Sequence, residues 1–309
     1  MTRYFRVRLG NEMAYAAQAL SKGFVGVDFG IGQDLTNRLP ETWREFNKEW
    51  IPVLIQQEPG KSKVGAGLNC AMTWTLSKGM DVGDFVISPT ADGTFIAGFI
   101  EGGYQFAAGA VLPHRRPVRW LERRVSKDEL SFDLWKSIRG PGTVVEVSSY
   151  ASEIESILTG SAKKLLTSSD PTIEDPSAFA LERHLEDFLV ANWNQTPLAN
   201  DYDIYEVDGI KVGQQYPTDT GPIDILAISK DKSELLVIEL KRGRASDSVV
   251  GQVQRYMGSV LELLAESNQK VSGLIIALDD DLKIRRALSV APNISFYRYE
   301  INFKLNQVK

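Results

Sequence analysis

"GPIDILAISKDKSELLVIELKRG", residues 221–243, reads as two apolar strands around a polar turn, yet it carries an aspartate near its start and a glutamate and a lysine at its end. Burying an ionised side chain without a partner is costly, so a charge in a core strand is paired, moved to an edge or kept for chemistry. Side chains alternate faces with a period of two, so in "SELLVIELK" Leu235, Val237, Glu239 and Lys241 share one face and Leu236, Ile238 and Leu240 the other. "PIDILAI" is a second short strand, and "SKDKS" has the length and polarity of a hairpin connection. The hairpin brings Asp224 toward Glu239. Two carboxylates and an ammonium at its polar end suit a hard divalent cation with a cationic neighbour. The competing reading is an Asp–Lys or Glu–Lys pair on a solvated strand end, a common and weakly stabilising feature.

The segment after the lysine decides between them. "RGRASDSVVGQVQRYMGSVLELLAE" (242–266) opens with two arginines, offers Ser246 or Asp247 as an N-cap, and then spaces Val249, Val250, Val253, Met257, Val260, Leu261 and Leu264 as on an amphipathic helix. Gln252 and Tyr256, four apart, share a face of it, with Arg255 beside them.

The order strand with Asp, turn, strand with E-x-K, basic turn, helix with Q-x-x-x-Y resembles the PD-(D/E)XK nuclease superfamily, and within it the NucS-type (EndoMS) mismatch endonucleases, over residues 176–300. The resemblance implies a restriction-endonuclease-like fold and DNA hydrolysis assisted by Mg2+ (or Mn2+). It implies that Asp224 and Glu239 hold the metal with the Leu240 carbonyl as a further ligand, and that Lys241 positions or activates the attacking water. Gln252 and Tyr256 would line the site. An acid on the preceding helix completes the family's site, and "LERHLEDFLVANW" offers Glu182 or Glu186; Glu182, three residues before Leu185, matches the family's spacing better. Phosphodiester hydrolysis needs an in-line water and neutralisation of charge on the phosphorane and leaving oxygens, which this set suits. Arg242, Arg244 and Arg255 are candidate contacts to backbone phosphates, the alternative being ordinary solubilising charge.

A chain of 309 residues accommodates about two domains. Its single cysteine, Cys70, excludes an internal disulfide, and with His114 and His184 far apart no zinc-ligand cluster is present. "MTRYFRVRLGNEM" lacks an apolar signal core and no run is long enough to span a membrane, so a cytoplasmic protein without membrane partners is expected. "GVDFGIG" and "GAG" lack the order of dinucleotide or Walker loops, so no nucleotide cofactor is expected. The net charge of -5 is uneven: residues 1–150 hold 18 Lys/Arg against 16 Asp/Glu, and the remainder, by subtraction from 35 and 40, holds 17 against 24. Local rather than net charge governs DNA binding, so acidity does not exclude DNA.

The expected organisation is a β-rich domain over 1–150, a connection over 151–176 rich in Ser, Thr, Asp and Pro, and the nuclease domain over 177–309. The fold class is therefore α/β and α+β, with a mixed central sheet flanked by helices in the second domain. In the first, "NEMAYAAQALSKG" reads as a helix ending at Gly23 before the strand "FVGVDFG", and "VGDFVISPTADGTFIAGFIEGGYQF" as strands turning at "ADG". With "HRRPVRW", this pattern resembles the N-terminal modules of Mrr-like restriction proteins, themselves similar to PUA- or EVE-type barrels. That resemblance implies nucleic-acid reading, at times of a flipped base in an aromatic pocket. Arg115, Arg116, Arg119, Arg123, Arg124 and Lys127 form the densest basic segment. As a strand it puts Arg115 and Arg119 on one face and Arg116 on the other, and Arg115, Arg116 and Arg119 are candidate phosphate contacts against the alternative of a solvated edge.

The expected function is a metal-dependent DNA endonuclease, acting as a homodimer in the restriction of modified or foreign DNA. The first alternative is mismatch repair of the NucS type; the second, from another class, is a DNA-binding regulator without turnover. The intact set Asp224, Glu239, Lys241 and Gln252 favours an enzyme, and the N-terminal residues, unlike those of NucS, favour a different target.

Overall fold

The computed structural model describes residues 2–140, 142–159, 185–207 and 209–300. They belong to two compact units, Met1–Pro176 and Ser177–Lys309.

The first unit is built on seven strands: β1 (Tyr4–Val7), β2 (Phe24–Val27), β3 (Phe85–Pro89), β4 (Phe95–Ile100), β5 (Gln105–Phe106), β6 (His114–Trp120) and β7 (Val144–Glu146). Their order is β2-β6-β4-β3-β1-β7, with β5 also on β6. Only β1 and β3 pair in parallel. Helix α1 (Ala16–Lys22) ends at Gly23, whose φ of 63° is the left-handed conformation that closes a helix cheaply only in glycine. Helices α2 (Trp43–Gln57) and α3 (Lys63–Trp74) are capped by Thr42 and Ser62, whose side chains accept from the backbone of Glu45 and Gly65. A π-helical turn over Thr75–Gly79 continues α3.

One face of this sheet buries Tyr4, Phe85, Ile87 and Ala97 against Leu134 and Ile138 of α4 (Phe132–Arg139) and Ile154 and Ile157 of α5 (Ala151–Thr159). Helix α5 therefore packs into the first unit's core, although its residues lie in the stretch whose composition suggested a connection beginning at 151.

The second unit holds a six-stranded mixed sheet: β8 (Tyr202–Ile204), β9 (Gln214–Tyr216), β10 (Ile223–Ser229), β11 (Glu234–Arg244), β12 (Lys270–Asp279) and β13 (Ile294–Arg298). The order is β13-β12-β11-β10-β8, with β9 also on β10. Residues 185–191 form helix α6. The hairpin β10–β11 is antiparallel, whereas β11–β12 and β12–β13 are parallel. Parallel neighbours need a crossover, which α7 (Ser248–Leu263) and α8 (Leu282–Ser289) provide.

The two faces of β11 behave as the period of two predicts. Leu236, Ile238 and Leu240 pack with Ile225, Ala227, Leu274 and Ile276 over Leu185, Leu189 and Val190 of α6. On the other side α7 buries Val249, Val250, Val253, Tyr256 and Met257. Gly273 on β12 permits that approach: a Cβ there would stand 2.5 Å from Val253 Cγ1 and 2.9 Å from Met257 Sδ. Among the described residues no helix is long and apolar enough to cross a membrane.

Candidate active site

The hairpin sets the first geometry. Ile225 pairs with Ile238, so the same register carried one residue further puts Asp224 opposite Glu239. Asp224 Oδ2 accepts from the Leu240 amide at 2.8 Å, which ties the aspartate to the strand that bears the glutamate. Lys241 Nζ donates to Glu239 Oε1 at 2.8 Å. The glutamate is 2% exposed, and a carboxylate so buried is tolerable only with partners of this kind. A register irregularity between Lys241 and Arg244 ends the regular ladder beyond the site.

A second carboxylate cluster joins from the neighbouring strand and from α6. On β9, Gln215 stands across from Asp224 in the β9–β10 register, and its Nε2 donates to Asp224 Oδ1 at 3.3 Å and also to Glu186 Oε2. Gln214 Nε2 donates to Glu186 Oε1 at 2.7 Å and to Asp187 Oδ1 at 2.9 Å. Glu186, 2% exposed, is thus linked to Asp224 through one amide. Glu182, the acid that the family spacing favoured, lies outside the described residues; among those described, Glu186 of α6 is linked to Asp224 through Gln215. Gln215 has φ 50°, a left-handed conformation that costs a non-glycine residue about a kcal/mol or more and that clusters at functional sites. Sequence reasoning missed both glutamines, because nothing in "GQQY" announces that its strand pairs beside Asp224.

Helix α7 closes the other side. Gln252 Nε2 donates to Tyr256 Oη at 3.3 Å. Burial raises the Tyr256 pKa, the charges of Glu239 and Asp224 add to the rise, and the Gln252 hydrogen bond and Lys241 oppose it. The phenol thus lies within electrostatic reach of the carboxylates and the ammonium. Gly221, just before β10, has φ 118°, and a Cβ there would come within 3.1 Å of Tyr256 Oη. The turn is held by reciprocal backbone hydrogen bonds between Thr218 and Gly221 and tied to α7 by Ser259 Oγ on Asp219. Asp224, Glu239, Lys241, Gln252 and Tyr256 therefore converge, with Glu186, Gln214 and Gln215 behind them.

The arginines divide. Arg242, Arg244 and Arg255 are exposed in the second unit, Arg244 with Asp279 at 3.3 Å. In the first unit β6 alternates as expected, but its charges are already engaged. Arg115 donates to the carbonyls of Leu112 and Val111 at 2.9 and 2.6 Å and lies 3.9 Å over the Phe24 ring. Arg116, 6% exposed, points inward, its Nε buried without a hydrogen bond; burial lowers its pKa and Asp81 and Asp84 draw it back up. Arg119 is exposed and pairs with Glu101 at 3.0 Å. The three do not form a common surface strip, since the face that carries Arg116 is the one the domain buries.

Among the described residues no three or more His, Cys, Asp or Glu side chains are grouped to hold a metal ion. The donors that the hairpin brings together are the carboxylates of Asp224 and Glu239, both with hard oxygens. Beside them, Glu186, Asp224 and Glu239 stand against the single ammonium of Lys241. Such a set fits an ion of the magnesium type, which takes one or two carboxylates and keeps several waters. Cys70 is no competing ligand or nucleophile: it is buried, and burial pushes its thiol up to about 12.

Residues 195–300 match the family described as the endonuclease NucS C-terminal domain. Residues 5–141 match a domain of unknown function, DUF8426. Among solved structures, the chain is similar to an EndoMS–dsDNA complex at 16% identity and TM-score 0.32, over 68% of this chain and 62% of that one. It is also similar to a repair endonuclease from Pyrococcus abyssi at 17% identity and TM-score 0.31, over 71% and 78% of the two chains. EndoMS in its apo form follows at 16% identity and TM-score 0.31, over 72% and 79%. The chain thus spans less than two thirds of the first of these. The C-terminal domain is a NucS-like nuclease domain, and its mixed sheet fits a restriction-endonuclease-like fold.

Proposed function

We propose that this chain, whose C-terminal domain is NucS-like, is a metal-dependent DNA endonuclease in which that domain cuts and the first domain selects the DNA. The observation that carries the reading is the placement of Asp224 opposite Glu239, with Lys241 on the same carboxylate and Gln252 and Tyr256 across from them. A bound Mg2+ or Mn2+ would neutralise charge on the phosphate and lower the pKa of a water. Asp224 and Glu239 would hold it with the Leu240 carbonyl. Lys241 stays a donor, held at Glu239 Oε1, where it orients a water or meets a phosphate oxygen without competing as a ligand. Gln252 and Tyr256 line the approach as neutral polar groups, and Arg242, Arg244 and Arg255 lie exposed for the backbone on either side.

Two observations favour two different targets. The match of 195–300 to NucS favours a repair-type cut at mismatched or otherwise irregular DNA. Residues 5–141 match a separate family, and we read that domain as a selector of its own, for modified or foreign DNA as in restriction. One such domain cuts one strand, so a double-strand break needs two copies facing antiparallel strands, most simply a two-fold homodimer in the cytoplasm.

The test is cleavage by the purified chain of modified, unmodified, mismatched and single-stranded DNA with Mg2+ or Mn2+, beside sedimentation with and without DNA. Metal-dependent cutting that chelator stops is expected. No cutting of any substrate with any metal, together with intact DNA binding, would replace the enzyme with a non-catalytic regulator.

A further inference from the structure

Helix α4 of the first domain carries a basic and aromatic face that the candidate active site does not use. Trp135 is half-buried on it, with Lys127 Nζ 4.6 Å and Arg139 Cζ 5.5 Å from its ring centroid. Just beyond β1, Arg8 Nη2 donates to the Gly140 carbonyl at 2.7 Å and to that of Arg139, which places it at the C-terminal end of the helix. Lys127, Trp135, Arg139 and Arg8 thus form a row along α4. At 1.5 Å per residue the helix alone is about 12 Å long, the rise of roughly three phosphates of one DNA strand. Behind the row, Arg6 is fully buried and donates to the carbonyls of Gly140 and Gly142.

These cations differ from the exposed arginines at the end of β6 and just after it. Arg119, Arg123 and Arg124 have Glu101, Glu129 and Asp92 as ion-pair partners. Among the described residues, Lys127, Arg139 and Arg8 have no carboxylate at ion-pair distance, and their neighbours are a ring and helix-end carbonyls. Burial lowers the pKa of Arg8, and repulsion from Arg139 lowers it further; burial, then Arg8, brings that of Arg6 down to about 9. Positive charge is therefore gathered at the end of α4 against its own repulsion. The negative end of the helix offsets part of that cost, and an anion would offset the rest.

We propose that the row Lys127, Trp135, Arg139 and Arg8 is where the first domain holds the phosphate backbone of duplex DNA, an assignment that rests on the reading of this chain as a DNA endonuclease. Neighbouring phosphates would meet Lys127 and the Arg139–Arg8 pair, with the Trp135 ring holding Lys127 and Arg139 in place between them. A single inorganic phosphate would engage only one end of the row.

The experiment uses the full chain, in excess chelator so that cleavage plays no part. Binding of a labelled duplex is followed by fluorescence anisotropy from about 50 to 200 mM salt, the range over which phosphate contacts are most visible. Lys127→Gln with Arg139→Gln, both exposed positions, should lower the log–log salt slope by about two and weaken binding roughly tenfold or more. The charge-matched control, Arg119→Gln with Arg124→Gln, should leave the slope within about half a unit of the parent, because those arginines are already paired. A double variant with the parent's slope and affinity would overturn the proposal, as would a control that loses as much. Stabilisation of the parent by inorganic phosphate, with duplex binding unchanged in the double variant, would point to a free anion and also overturn it. A parent that binds DNA through this row but cuts nothing when metal is restored would leave the row assigned and defeat the endonuclease reading alone.

Discussion

Strands β6 and β11 pose the same puzzle and solve it differently. Both run charged residues through a buried sheet, His-Arg-Arg-Pro-Val-Arg-Trp in one and Glu-Leu-Lys at the end of the other. In β6 every charge is used locally: Arg115 on two carbonyls and a ring, Arg116 inside near Asp81 and Asp84, Arg119 on Glu101. In β11 the charges are gathered with groups from other elements, Asp224 from β10, Gln215 from β9, Glu186 from α6 and Tyr256 from α7. Density of charge therefore says less about function than convergence does. Consumed charges stabilise a strand, whereas like-signed carboxylates brought together repel each other, and here Lys241 and Gln215 offset part of that repulsion.

The sharpest way to break this comparison is to remove the converging acids. Asp224→Ala or Glu239→Ala should reduce cleavage by roughly 10³-fold or more, the scale of deleting a charge-handling group from a hydrolytic site. Neither residue lies within the apolar cluster of the sheet, so circular dichroism and DNA binding in chelator should stay near the parent's. Cleavage within tenfold of the parent by both variants would place the chemistry elsewhere.

Gln215 tests whether the second ring of groups matters. Its Nε2 bridges Glu186 and Asp224 from a left-handed backbone, so it acts as a positioning residue for both. Gln215→Ala should cost roughly 10- to 100-fold in metal affinity or turnover, as loss of an outer partner does, and calorimetric titration with Mn2+ reads this apart from activity. Gln215→Gly keeps the φ at ease and removes only the amide. It should lose as much function while holding or raising the melting temperature, and a glycine variant with full Mn2+ affinity would leave the residue only structural.

On the β6 side the expected effects are on stability. Arg116→Met removes a buried charge that Asp81 and Asp84 stabilise, while Asp84 keeps Arg3 at 3.1 Å. A loss of about 2 kcal/mol is expected, below the usual cost of breaking a buried pair because one partner remains. Denaturant unfolding measures it, and an unchanged midpoint would mean that the inward arginine is idle.

His114 on the same strand adds a pH dependence. Its Nε2 donates to the Ile31 carbonyl at 2.6 Å, and in the neutral ring Nδ1 accepts from Tyr104 Oη at 2.8 Å, while Tyr104 Oη accepts from the Leu35 amide at 3.2 Å. Burial lowers the histidine pKa, with the Ile31 hydrogen bond and the charges of Asp28 and Asp34 opposing. The unfolded chain then binds the proton more readily, so stability is complete above the unfolded value of about 6.5 and falls as the pH drops through the lower folded value. Thermal melts between pH 7.5 and 5 should show this decline, and His114→Gln should flatten it; an unaltered slope in the variant would assign the titration elsewhere.

How much of the molecule was legible in its sequence turns on the range of each signal. Period-two alternation and a short polar turn depend only on local sequence, and they gave the hairpin, both faces of β11 and the meeting of Asp224 with Glu239. The spacing of Gln252 and Tyr256 on α7 is equally local. Glu186 and Gln215 were not legible in the same way, because their roles arise from the pairing of β9 on β10 and the approach of α6, which are long-range. The same limit applies to β6: alternation separated Arg116 from Arg115 and Arg119, but which face is interior is decided by the helices that cover it. Trp135 and Arg139 were not legible for a related reason, since what marks them is the packing of Lys127 and Arg139 on the Trp135 ring, which local sequence does not reveal.

The smallest effect is the most direct check on the idea that β6 has spent its charge. Arg119 is well exposed, with 60% of its side chain open and Glu101, at 52%, 3.0 Å away. An exposed pair of this kind contributes under about 1 kcal/mol, because water screens it and two long side chains must be held in one geometry. Its guanidinium also lies 5.5 Å over Phe99, a contact that the aliphatic part of a glutamine retains in part. Arg119→Gln should therefore shift the unfolding midpoint barely at all and leave the salt slope of DNA binding nearly unchanged. A loss of one full unit of slope would show that Arg119 leaves Glu101 for a phosphate when DNA arrives, and β6 would then rejoin the binding surface from which its local pairings remove it.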